Sequence, residues 1–181
     1  LDWRPKPLES ATQLEAVGQW LLFTSGGELG ERLLAQLRRQ GHACVQVSAG
    51  SSYQQLSEEH YQVNPLEPAD FKQLLQACSH VQPWVQGMIH LWSLESTGVE
   101  GLDIDGLQQA QRLSCGGVLH LLQALQPTQS VPLYLVTKGA QSVPSYPSIV
   151  QVQQAPLWGL GRVIGLEHPE LRCQCLDLDP E

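Results

Sequence analysis

Trp20-Leu21-Leu22-Phe23-Thr24-Ser25-Gly26-Gly27-Glu28-Leu29-Gly30 decides the fold. An apolar run enters a glycine-rich turn, and the turn opens an amphipathic stretch over 29–40 whose Leu29, Leu33, Leu34 and Leu37 share one face. Strand, turn and helix stand in the order that a G-x-G-x-x-G dinucleotide fingerprint requires. On that spacing the three positions are Ser25, Gly27 and Gly30, so the first glycine is replaced by a residue with a Cβ where the turn needs to tighten. After the next strand a nucleotide binder places an acid for the ribose or an arginine for a 2′-phosphate, whereas this chain reads Ser48-Ala49-Gly50-Ser51-Ser52. Glu28 adds a negative charge at the helix N-terminus, where an anion would otherwise be favoured. The turn is expected to repel a pyrophosphate and to be kept for packing.

Outward from this unit the same alternation continues. Apolar stretches at 19–24, 42–47, 87–91, 131–137 and 173–178 read as buried strands, with a weaker one at 60–63. Between them, helical stripes run through Phe71, Leu74, Leu75 and Cys78, with Pro68 suited to the first turn, and through a long third helix over 106–125 stopped by Pro127. A fourth, through Leu157, Leu160, Val163, Ile164 and Leu166, is stopped by Pro169, and Gly41 closes the first. The segments 50–57, 96–101 and 142–148 read as loops. Such alternation predicts an α/β domain: a doubly wound, mostly parallel sheet in a truncated Rossmann-like arrangement. Residues 1–18 form a leader whose Pro5 and Pro7 favour an edge strand, and 19–181 form one domain.

Composition excludes several functions. Ten basic residues against eighteen acidic ones give a net charge of −8, with no basic stripe for nucleic acid or an anionic membrane. No apolar run approaches the ~18 residues of a membrane span, and no signal peptide precedes the domain, so a cytoplasmic protein is expected. The start at Leu1 suggests a fragment of a longer polypeptide. Five cysteines, an odd number in apolar segments, favour reduced thiols. Cys173 and Cys175 share one face of a strand and suit a core face better than zinc, and the six histidines fall in no ligand spacing.

One run is more specific than any of these patterns. Ala155-Pro-Leu-Trp-Gly-Leu-Gly-Arg-Val-Ile-Gly-Leu-Glu-His-Pro169, followed by Asp177-Leu-Asp-Pro180, resembles the end of the structural subdomain of a modular type I polyketide synthase ketoreductase. The segments 85–95, 114–125 and 133–140, and the leader's Trp3-Arg4-Pro5, sit in that family's order. The resemblance implies a split ketoreductase made of two short-chain-dehydrogenase-like halves. The second half binds NADPH and reduces the β-keto group of a polyketide carried on an acyl carrier protein by phosphopantetheine; the first, which this chain resembles, braces it. A methyltransferase, dehydratase or enoylreductase domain is a possible neighbour, within a multifunctional synthase of the acyltransferase class.

The catalytic marks of that family do not map onto this chain. No tyrosine among Tyr53, Tyr61, Tyr134 and Tyr146 is followed four residues later by lysine or asparagine, the helix over 106–125 holds no lysine, and Ser142 or Ser145 would have to be forced into the serine's role. Without a tyrosine acidified by a nearby cation there is no proton donor for a carbonyl oxygen. No catalytic, metal or cofactor-binding residue is therefore assigned, Ser25, Gly27 and Gly30 being a vestige, and Lys138 at a strand end is read as solvated. A degenerate NAD(P)-binding reductase and an independent docking module remain as alternatives. Gly116, Gly117, Gly159, Gly161 and Gly165 each cost roughly 1 kcal/mol of helix propensity. We read that cost as leaving room for a partner, the catalytic half, against Gly116, Gly117, Trp158, Leu160, Gly161 and Ile164.

Overall fold

The computed structural model describes residues 17–79, 85–95, 102–125, 130–143 and 150–179. Most of the leader, the loop at 96–101 and most of 142–148 lie outside the described residues. The elements run β1 (Gln19–Phe23), α1 (Glu28–Arg39), β2 (Ala43–Ala49), β3 (Gln54–Ser57), β4 (His60–Val63), α2 (Pro68–Ser79), β5 (Val85–His90), a 3₁₀ turn (Trp92–Glu95), α3 (Ile104–Gln111), a π-helical turn (Arg112–Gly116), α4 (Gly117–Ala124), β6 (Leu133–Lys138), α5 (Ala155–Glu167) and β7 (Gln174–Leu178). The sheet order is β3-β4-β2-β1-β5-β6-β7, with every pairing parallel except β3 with β4. This is the doubly wound α/β sheet expected from the alternation.

β1 shows why the run 20–23 is apolar at every position. Successive side chains leave a strand on opposite faces. Trp20 and Leu22 pack with Leu34, Leu37 and Cys44 on the α1 side. Leu21 and Phe23 enter the larger core on the other side with Phe71, Leu121, Leu157 and Ile164. Burying each such side chain contributes roughly 1.5–3 kcal/mol.

Three expectations need correction. The segment 50–57 is not all loop: 54–57 forms β3, an exposed antiparallel edge strand that exists only by pairing with β4. The long third helix is divided by the π-helical turn, and its last α-helical residue is Ala124.

The third concerns the proposed partner surface, because most of those residues face this chain's own core. Ile164 is 1% exposed, Leu160 packs partly onto the core, and Trp158 donates from Nε1 to Thr137 Oγ1 at 2.9 Å. A Cβ on Gly117 would stand 2.9 Å from the Trp92 ring, one on Gly161 would overlap the Cys175 sulfur, and Gly116 borders Leu66. Gly161 lets α5 close onto β7 and Gly117 lets α4 close onto Trp92; close approach is real at these two, but it is internal. Gly161→Ala therefore forces the Cys175 and Leu135 side chains to shift. The expected loss is about 1–3 kcal/mol in urea unfolding, reduced by the helix propensity gained.

Candidate functional site

The C-terminal ends of β1, β5, β6 and β7 converge, as they do where open α/β sheets bind ligands. A cleft of about 920 Å³ lies there, lined by the turn Thr24–Gly30 and by Arg32, Leu91, Leu94, Glu95, Lys138, Gln151, Gln154, Leu178 and Asp179.

The turn is built differently from the expectation. Its left-handed residues are Gly26 (φ 128) and Gly27 (φ 86), and Ser25 is not one of them, so a Cβ at Ser25 costs the turn nothing. The Thr24 hydroxyl donates to Gly26 O at 2.8 Å and accepts from the Gly26 N–H at 3.2 Å. Gly30 keeps the role of the third fingerprint glycine: a Cβ there would stand 2.7 Å from Thr24 Oγ1, so its absence lets α1 pack on the end of β1.

One of the turn's backbone donors is occupied from within the chain. The Ser25 N–H donates to Glu95 Oε1 at 2.6 Å, so a carboxylate from the end of the 3₁₀ turn takes an amide of the glycine turn. Burial of the Glu95 carboxyl raises its pKa, opposed by the hydrogen bonds from Ser25. The Ser25 hydroxyl in turn accepts from the Ala49 N–H at 3.2 Å, joining the turn to the end of β2 where a ribose-binding acid would stand. Glu28, expected to supply the repulsion, is exposed and pairs with Arg32 at 2.5 Å, a pair of little energetic weight. The cleft thus gathers three carboxylates, Glu28, Glu95 and Asp179, against Arg32 and Lys138. Its lining holds no tyrosine and no histidine among the described residues.

The end of β6 is tied down as firmly. Asp177 of β7 accepts from Thr137 Oγ1 at 2.7 Å and, through both oxygens, from the Ala140 and Gln141 N–H groups at 2.9 Å each. Gln154 Oε1 accepts the Lys138 N–H at 2.9 Å, and Gly139 O accepts the Gln151 N–H at 2.8 Å. Backbone groups that could face a substrate in a working site are here spent on the chain itself. Ser142 is exposed beyond this turn, and Ser145 lies outside the described residues. Sequence reasoning missed Glu95 and Asp177 as partners of these turns, although both stand just after or at the end of an apolar strand. The cysteine pair is not fully buried as a core face would be: Cys173 and Cys175 are each half-exposed. Among the described residues no cluster of three or more metal-binding side chains exists, and no helix is long and apolar enough to cross a membrane.

The sheet order and the glycine turn at the end of β1 define a short-chain-dehydrogenase-like Rossmann domain. The chain belongs to the β-ketoacyl synthase-like, N-terminal family, whose model matches residues 18–179. It is 29% identical over 174 residues to the polyketide synthase GfsA of Streptomyces halstedii, covering 96% of this chain and 2% of that protein. Among solved structures it is similar to a multidomain structure holding the adenylation, ketoreductase and pseudo-Asub domains of a keto acid-selecting NRPS module. That match has 27% identity and a TM-score of 0.86, over 98% of this chain and 14% of the other. A C2-type ketoreductase from a modular polyketide synthase is 28% identical with a TM-score of 0.63, over 91% of this chain and 33% of that one. The resemblance read from 155–169 to the ketoreductases of modular synthases agrees with these relatives, and the chain spans only a small part of each.

Proposed function

We propose that the chain is a structural, non-catalytic half of a polyketide synthase ketoreductase, which braces a separate NADPH-binding half that reduces a carrier-bound β-keto group. The observation that carries this reading is the Glu95 carboxylate on the Ser25 N–H: a negative group already stands where a cofactor phosphate would need a donor. Its test is titration of the chain with NADPH, followed by calorimetry or by nicotinamide fluorescence. No saturable binding is expected up to millimolar cofactor, and a micromolar Kd would overturn the reading in favour of a degenerate reductase.

A surface for the catalytic half is supported by the outer face of α5. Pro156, Gly159, Val163 and Leu166 recur every three or four residues along it, with Val152 just before, and Val163 and Leu166 are 45% and 83% exposed. A Cβ on Gly159 or Gly165 would meet nothing within 4 Å, so these glycines leave the outer face smooth for a close neighbour. Val163→Glu and Leu166→Glu are expected to leave the melting temperature of the chain within a few degrees of wild type. Each should abolish rescue of a separately expressed catalytic half, a loss of at least about 2 kcal/mol in binding. Undiminished rescue would place the docking surface elsewhere.

A further inference from the structure

At the edge of the described sheet β7 passes beneath α5, and two thiols meet there. Cys173 and Cys175 are two residues apart, so both side chains leave the chain on one side, and both pack against the main core. Gly161 of α5 marks the spot: a Cβ there would overlap the Cys175 sulfur and stand 3.9 Å from the Cys173 sulfur. Half-burial at an edge strand leaves the pair within reach of a small reagent, whereas Cys44 and Cys78 are buried.

The backbone treats the two unequally. Cys175 is fixed opposite Leu135 in the β6–β7 ladder, which begins at Gln174. Cys173 lies outside that ladder and follows Arg172, a non-glycine residue with a left-handed φ of 42. The ladder holds the backbone of Cys175 and not that of Cys173. The electrostatics agree with this division. A hydrogen bond with Cys173 lowers the Cys175 pKa, with help from Arg162 and against burial. The same hydrogen bond raises that of Cys173, with burial adding to it. Burial raises the other three thiols, Cys78 to about 11.

We propose that Cys173 and Cys175 form a dithiol modification site that closes to an intrachain disulfide by exchange with a low-molecular-weight disulfide of the glutathione type. The Cys175 thiolate attacks one sulfur of the reagent, whose S–S bond breaks; a mixed disulfide forms and one reagent thiol leaves with a proton. The Cys173 sulfur then attacks the Cys175 sulfur, the mixed S–S bond breaks, and the second reagent thiol leaves. The chain loses two hydrogens with their electrons, and the reagent disulfide is reduced to two thiols. Two residues of extended chain span about 6.6 Å, near the upper limit of Cα separation for a disulfide, so closure draws Cys173 inward at the hinge of Arg172.

The test is incubation of the full 181-residue chain with glutathione disulfide, followed by denaturation, iodoacetamide labelling and peptide mass mapping. In wild type, Cys173 and Cys175 should be lost to alkylation together, with no glutathione on either, while Cys44 and Cys78 still take the label. In Cys173→Ser a glutathione should remain on Cys175, and in Cys175→Ser the Cys173 thiol should stay free. Continued alkylation of both cysteines in wild type, or a glutathione retained on either, overturns the proposal, and this arm requires no variant to fold. An unmodified Cys175 in folded Cys173→Ser overturns it as well.

Discussion

Acidification from pH 7 to 4 is expected to remove about 3 kcal/mol of folding stability through one side chain, His90. His90 ends β5 wholly buried, its ring stacked on Phe23 at 5.8 Å and edge-on to Trp92 at 5.2 Å. Neither ring nitrogen has a hydrogen-bond partner among the described residues. Burial with nothing to solvate a charge lowers its pKa from 6.5 to about 3. In this window the unfolded chain takes up a proton near pH 6.5 and the folded chain does not until about 3. Stability is therefore intact above the unfolded value and falls by about 1.4 kcal/mol per pH unit below it, until the folded form also titrates. Urea unfolding of wild type and His90→Leu across this range checks it. The substitution removes the titration while filling a similar volume, so the stability difference between the two chains should move by about 3 kcal/mol in favour of the variant. Parallel curves would mean that a buried water or a rearrangement solvates the ring.

The second large effect is expected at Asp177, whose carboxylate accepts three hydrogen bonds and so joins β7 to the turn that follows β6. Hydrogen bonds to a charged group contribute roughly 1.5–3 kcal/mol each and do not simply add. In Asp177→Ala the Thr137 hydroxyl can turn to the Leu176 carbonyl, already 3.3 Å away, but the Ala140 and Gln141 N–H groups lose their partner. A destabilisation of about 3 kcal/mol should follow, with the amide protons of 139–141 exchanging faster than those of the strands. Asp177→Asn keeps one acceptor oxygen and should lose about half as much. A loss under about 0.5 kcal/mol in the alanine variant would show that the turn holds itself.

Most of this fold was legible because burial and period coincide in the chain. β1 is apolar from Trp20 to Phe23 since both its faces are covered, and β4 was found at its own bounds from a weaker apolar stretch. β3 escaped because Gln54, Gln55, Leu56 and Ser57 are all exposed; only the ladder with β4 makes them a strand. The candidate site was half legible. Local spacing exposed the altered fingerprint, but Glu95 reaches Ser25 across 70 residues of chain, and no local pattern encodes such a pairing. The interface residues were misplaced for a related reason. Glycine in a helix signals a close neighbour without saying on which side, and at Gly117 and Gly161 the neighbour is the chain's own Trp92 and Cys175.

The π-helical turn at Arg112–Gly116 bears on how this chain is compared with others. Such a turn holds one residue more than the α-helix it interrupts, and one residue of α-helix is about 100° of rotation. Relatives whose helix is uninterrupted must therefore align with a single-position gap between Arg112 and Gly116. An alignment without that gap would assign the inward places of Val118 and Leu121, both fully buried, to their neighbours on the helix. Ancestry inferred column by column through this helix would then be drawn between positions that do different jobs.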